Sequence, residues 1–103
     1  MGAEWEQTNA EQGVANLHAE PPSYTVLLHN DDYTTMDFVV EILQQVFQKP
    51  FEEAFRIMRR VHEQGIGVCG SYTREIAEAR VAMVKSLAEA NGFPLLCTME
   101  REE

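Results

Sequence analysis

Asn30, Asp31 and Asp32 stand side by side in the run His29-Asn30-Asp31-Asp32-Tyr33-Thr34-Thr35-Met36-Asp37-Phe38-Val39, and His62 lies well downstream of them. Carboxylates supply negative charge, while an Asn oxygen and a neutral imidazole nitrogen accept hydrogen bonds. Three chemistries can use such a set: ligation of a divalent cation, general acid–base hydrolysis, and capture of an ammonium group. The spacing matches neither an EF-hand loop nor a zinc motif. Hydrolysis would also need a nucleophile, and the sequence has no G-x-S-x-G elbow and no glycine loop shaped to cradle phosphate. Ammonium capture needs none of these. Neutral caps suffice to turn a chain, so two adjacent acids point to a positively charged guest. His62 borders an apolar helical face, where a histidine is commonly a plain boundary residue. Its participation requires that the polar run and His62 meet in space.

The surrounding pattern says how they could meet. Tyr24-Thr25-Val26-Leu27-Leu28 reads as a strand. Phe38, Val39, Ile42, Leu43, Val46 and Phe47 then recur at helical spacing, with Thr34 and Asp37 placed as a capping box. Lys49-Pro50 breaks that helix, and a second is expected over 51–64, burying Phe51, Ala54, Phe55, Met58 and Val61 and ending at Gly65. A short strand, Ile66 to Tyr72, leads to Thr73, which caps a third helix from Arg74 to about Ala90. Its inward residues are Ile76, Ala77, Val81, Val84, Leu87 and Ala88, and Asn91-Gly92 ends it. The last strand covers Leu95 to Glu100. This order, β-α-α-β-α-β, predicts a small two-layer α+β sandwich in which three helices cover a three-stranded antiparallel sheet. If the first two helices lie side by side over the strand end, His62 joins the polar run. Met36, Val39, Met58 and Val61 would then be its apolar companions, as core stripes or as the adaptable wall of a pocket.

Composition bounds the function. The chain has 103 residues, 45% of them hydrophobic, which suits one small domain. Residues 1–21 have few apolar side chains and no period, and are expected to form a flexible tail before a core domain over 22–103. Trp5, between Glu4 and Glu6, is the odd member of that tail. No apolar run approaches the roughly 18 residues of a membrane span, and the acidic start has no signal-like apolar segment, so a cytoplasmic protein is expected. A net charge of −9 argues against a nucleic-acid partner. Cys69 and Cys97 sit in apolar strand-like runs and read as free structural thiols. Neither metal nor cofactor is expected.

The run from Val26 to Val39 closely resembles the signature of the ClpS family of bacterial N-end rule adaptors. Met58 through Val61-His62-Glu63-Gln64-Gly65, Thr73-Arg74-Glu75-Ile76-Ala77-Glu78 and Phe93-Pro94-Leu95-Leu96-Cys97-Thr98 agree with it. The resemblance implies a monomeric, non-catalytic adaptor that binds proteins beginning with Leu, Phe, Tyr or Trp and hands them to the ClpA unfoldase of the ClpAP protease. It implies that Asn30, Asp31, Asp32 and His62 surround the free α-amino group. Thr34, Met36, Val39, Met58, Val61 and Leu95 would line the side-chain pocket, with Met36 as the gate against β-branched residues. Glu75 and Arg80 would face the unfoldase, and the tail would trigger delivery. Thr35 stands where the family often has Pro, and Arg80 where Lys is common. The element order also resembles the C-terminal domain of the ribosomal stalk protein, a protein-interaction domain that would need neither the acidic corner nor His62.

Overall fold

The computed structural model describes residues 21–103, so nearly all of the expected tail lies outside the described residues. The elements follow the order β1 (Ser23–His29), α1 (Met36–Gln45), α2 (Phe51–Gln64), β2 (Ile66–Thr73), α3 (Arg74–Asn91) and β3 (Leu96–Arg101). The strands form one antiparallel sheet in the order β2-β1-β3. As the central strand, β1 carries the most buried apolar residues, and Val26 and Leu28 are fully covered. Around them gather Ile42, Leu43 and Val46 from the first helical hairpin and Val84 from α3. Helix α2 packs on α1 and β2, while α3 crosses all three strands. Among the described residues, no helix is long and apolar enough to cross a membrane.

Two glycines set where α2 ends and how close it sits. Gly65 adopts φ 90°, a left-handed conformation that glycine takes without steric cost, and its amide donates to the Val61 carbonyl at 2.9 Å. At Gly67 the helix passes so near β2 that a Cβ there would lie 2.6 Å from Val61 Cγ2. Close seating brings the C-terminal end of α2 down beside the end of β1. It is held there by the Asn30 amide, which donates to the Gly65 carbonyl at 2.9 Å.

Three local expectations change. The N-cap of α1 is Thr35 rather than Thr34, with Thr35 Oγ1 accepting from the Phe38 amide at 3.1 Å. Thr34 instead donates its amide and its hydroxyl to the Asp31 carboxylate. Phe51 and Phe55 remain 59% and 42% exposed, because Ala54, Ile57, Met58 and Val61 already fill the contact between α2 and the sheet. Ile76 is likewise exposed on α3, whose buried stripe is Ala77, Val84 and Ala88. The two cysteines are free and buried. Burial pushes the Cys97 thiol up to about 12 and raises Cys69 still further.

Candidate functional site

Helices α1 and α2 are packed against each other, with the start of α1 next to the end of α2. Between those ends opens a cavity of about 230 Å³. Its rim is polar: Asn30, Asp31, Asp32 and Thr34 from the corner after β1, and His62 from the last turn of α2. Its wall is apolar: Met36 and Val39 from α1, Met58 and Val61 from α2. The required meeting of the polar run with His62 takes place, and the Met and Val companions stand beside it.

The two corner aspartates have different jobs. Asp31 is turned inward on its own loop. Its Oδ1 accepts from the Tyr33 and Thr34 amides at 2.8 and 2.7 Å, and its Oδ2 accepts from Thr34 Oγ1 at 2.7 Å. Partial burial alone would raise its pKa, but the bonds from Thr34 and Tyr33 outweigh that and hold the carboxyl below its ordinary value. Asp31 is therefore ionised and occupied in shaping the corner. Asp32 is exposed and accepts no hydrogen bond among the described residues, which leaves its charge free for a guest. Asn30 fixes its backbone through the bond to Gly65 and presents its exposed side chain at the same rim. His62 is exposed as well.

Met36 occupies the first turn of α1 and is 47% exposed, which removes the reading of this residue as core. Val39, Met58 and Val61 are nearly buried, so they form the floor of the cavity and the core beneath it at once. Leu95 does not line this cavity. It is buried just before β3 and lines a second one, under α3. The segment leading to it is tied to α1 by the Phe38–Phe93 contact, with ring centroids 4.8 Å apart, and Leu95 belongs to the buried core. Glu75 is exposed in the first turn of α3, away from the cavity lining. Arg80, half-buried on the same helix, holds its guanidinium 5.8 Å from the centre of the Tyr72 ring. Its Nε is buried with no hydrogen-bond partner among the described residues. The sequence pattern gave no hint of this Arg80–Tyr72 pairing, which joins β2 to α3.

A small cavity with an apolar wall, one free carboxylate, one amide and one imidazole on its rim can hold a group that is cationic at one end and apolar at the other. Fold and cavity together define a peptide-scale binding domain. Comparison with known proteins narrows this class. The family model described as "ATP-dependent Clp protease adaptor protein ClpS" matches residues 19–98. An ATP-dependent Clp protease adapter protein ClpS from Oleidesulfovibrio alaskensis is 62% identical over 81 residues, covering 79% of this chain and 78% of its own length. The protein of the same name from Desulforapulum autotrophicum is 61% identical over 89 residues, 86% of each chain. Among solved structures, Agrobacterium tumefaciens ClpS2 bound to L-phenylalaninamide superimposes with a TM-score of 0.78 at 37% identity, covering 81% of this chain and all of that one. The chain belongs to the ClpS family of Clp protease adaptors, which are not enzymes.

Proposed function

We propose that this adaptor binds proteins through an N-terminal Leu, Phe, Tyr or Trp and passes them to the ClpA unfoldase for degradation by ClpAP. The observation that carries this reading is the convergence of the polar corner and the apolar wall in one cavity. The free carboxylate of Asp32 pairs with the substrate ammonium, while Asn30 and His62 bond the ammonium and the first peptide group. Asp31 holds the corner in shape. Thr34, Met36, Val39, Met58 and Val61 receive the side chain. The ligand of the Agrobacterium neighbour has the matching form, a phenylalanine with a free amine and an amide in place of the first peptide bond.

Magnitudes agree with a carrier that must also release its cargo. Burying a large apolar side chain contributes about 1.5–3 kcal/mol, and each hydrogen bond to a charged amine about 1.5–3 kcal/mol. Association costs at least about 4 kcal/mol. With three such bonds the remainder is at most about 8 kcal/mol, so binding no tighter than about micromolar is expected. An internal leucine offers the same apolar area, so the ammonium contact must supply the distinction between a terminus and an interior residue.

For delivery, Glu75 and Arg80 on α3 would contact the unfoldase, and residues 2–20 would engage it. The adaptor is read as a cytoplasmic monomer. Fluorescence anisotropy with peptides differing only in the first residue tests the binding claim. Peptides beginning with Leu, Phe, Tyr or Trp should bind, and those beginning with Ile, Val or Gly should not. An absence of dependence on the first residue would remove this function. Deleting residues 2–20 should leave those affinities intact while degradation of a Leu-started reporter by ClpAP falls sharply.

A further inference from the structure

Phe51 and Phe55 belong to the same stripe of α2 as two cavity residues. Phe51, Phe55, Met58 and His62 follow one another at spacings of four, three and four, which places them along one face of the helix. The phenylalanine end of that stripe is open, with the two exposed rings 6.0 Å apart. They border a surface depression of about 350 Å³ completed by Glu52, Arg56 and Arg59. Beside the rings the charge is mixed, with Glu52 in the lining and Arg59 held by Glu63 at 2.6 Å, and Arg56 is the cation there without an ion-pair partner among the described residues.

We propose that this depression is a second subsite for the bound substrate, taking an aromatic side chain with an acidic neighbour a few residues beyond the N-terminus. The inference rests on the N-terminal reading of the cavity and extends it. His62 stands on the cavity rim and on the same stripe of α2 as the two rings, so a substrate that leaves the cavity past His62 runs along α2 toward them. Phe55 lies seven residues before His62, about 10 Å along the axis, and Phe51 about 16 Å. An extended peptide covers about 3.3 Å per residue. The fourth to sixth substrate residues thus come over the two rings. Phe51 and Phe55 offer stacking, and Arg56 can lie over an aromatic face or bond a carboxylate.

The test uses the full chain and four ligands in anisotropy or calorimetric titrations: Leu-Gly-amide, its N-acetylated form, a seven-residue Leu-started peptide with Ala at positions four to six, and the same peptide carrying Phe at five and Glu at six. Wild type should bind the Phe-Glu peptide about three- to tenfold more tightly than the Ala peptide. Phe51→Ala combined with Phe55→Ala should abolish that advantage and leave Leu-Gly-amide unchanged. Both residues are exposed, and a thermal melt checks that the variant remains folded. Equal affinity of wild type for the two long peptides overturns the proposal, as does an advantage that survives in the double variant. If the double variant instead binds all peptides normally but loses docking on ClpA, or changes its oligomeric state, the patch serves another partner and the subsite is rejected. Failure of the underlying reading would look different, because Leu-Gly-amide and its acetylated form would then bind wild type alike.

Discussion

Two cavities differ in kind, one between α1 and α2 and one beside α3, and the larger of the two carries less chemistry. The second cavity, about 310 Å³, lies under α3 beside the entry to β3. Its wall is mostly apolar, and its two charged residues, Lys85 and Glu89, have opposite signs one helical turn apart. The cavity between α1 and α2 is smaller, about 230 Å³, but it gathers two carboxylates, an amide and an imidazole on one rim without a lysine or arginine among them. Volume therefore does not distinguish a site from a packing gap. The distinction lies in uncompensated polarity placed next to an apolar wall, which has a purpose only when a guest of the complementary kind arrives.

Three experiments can break or sharpen that contrast. The largest effect is expected from Gly67→Ala. A methyl group there meets Val61 Cγ2 at 2.6 Å and the Ile57 carbonyl at 3.3 Å, so α2 must lift from β2. Overpacking of this kind costs about 1–3 kcal/mol of stability. Because Val61 lines the smaller cavity, peptide affinity should fall with it. A variant with wild-type stability and affinity would show that the close seating of α2 does not shape the site.

Met36→Ala comes next. Ile and Val carry their branch at Cβ, close to the backbone, at a depth that the ammonium contact fixes. On the proposed reading, a rim methionine would collide with that branch and clear the unbranched Cβ of Leu. One methylene contact discriminates by only about 1–3 kcal/mol, so exclusion needs a clash. Removing the methionine should raise affinity for Ile- and Val-started peptides by about tenfold with little change for Leu. Since Met36 is exposed, a urea melt should barely move. Continued exclusion of Ile and Val would end the gate role.

The smallest effect at neutral pH concerns the buried thiols, of which Cys97 lines the second cavity. Both have an ordinary value of 9.0 and are raised in the fold, chiefly by burial, Cys97 to about 12. The folded chain thus keeps these protons to higher pH than the unfolded one. Their contribution to stability is complete below pH 9.0 and declines as pH rises from there toward about 12. Denaturant melts should show this decline in wild type and less of it in Cys69→Ala with Cys97→Ala. Native-state alkylation near neutral pH should be slow and become fast in urea. Rapid labelling of the folded protein would contradict the burial of these thiols.

Much of this molecule was legible in its sequence. Element order, sheet type, the glycine stops after α2 and α3 and the free cysteines all follow from local signals, because hydrophobic period and turn chemistry act over a few residues. The strand-to-helix corner was legible as a polar turn, but not its division of labour. Thr34 looked like the helix cap, and Asp31 looked like a second ligand. In the fold Asp31 takes the hydroxyl and amide of Thr34, capping passes to Thr35, and Asp32 alone keeps a free charge. Local pattern could not choose between two adjacent threonines. Phe51 and Phe55 fit the apolar period of α2 equally well, yet a three-stranded sheet is too narrow to cover the whole stripe. How far a stripe is buried depends on the layer beneath it, which a single helix does not encode. The meeting of His62 with the corner also depended on helix packing, and the resemblance to ClpS proteins anticipated it where spacing alone left it open.

The central claim is that a free carboxylate on this rim recognises a free N-terminus. The direct measurement is a cycle of four titrations, pairing wild type and Asp32→Asn with a Leu-started peptide in free and N-acetylated forms. Truncating one partner of a desolvated charged contact costs about 2–5 kcal/mol, so wild type should prefer the free amine by well over tenfold. In Asp32→Asn most of that preference should vanish, with the acetylated peptide bound about as poorly as before. If the variant discriminates as strongly as wild type, or if wild type does not discriminate, the corner does not read the ammonium group and the account fails.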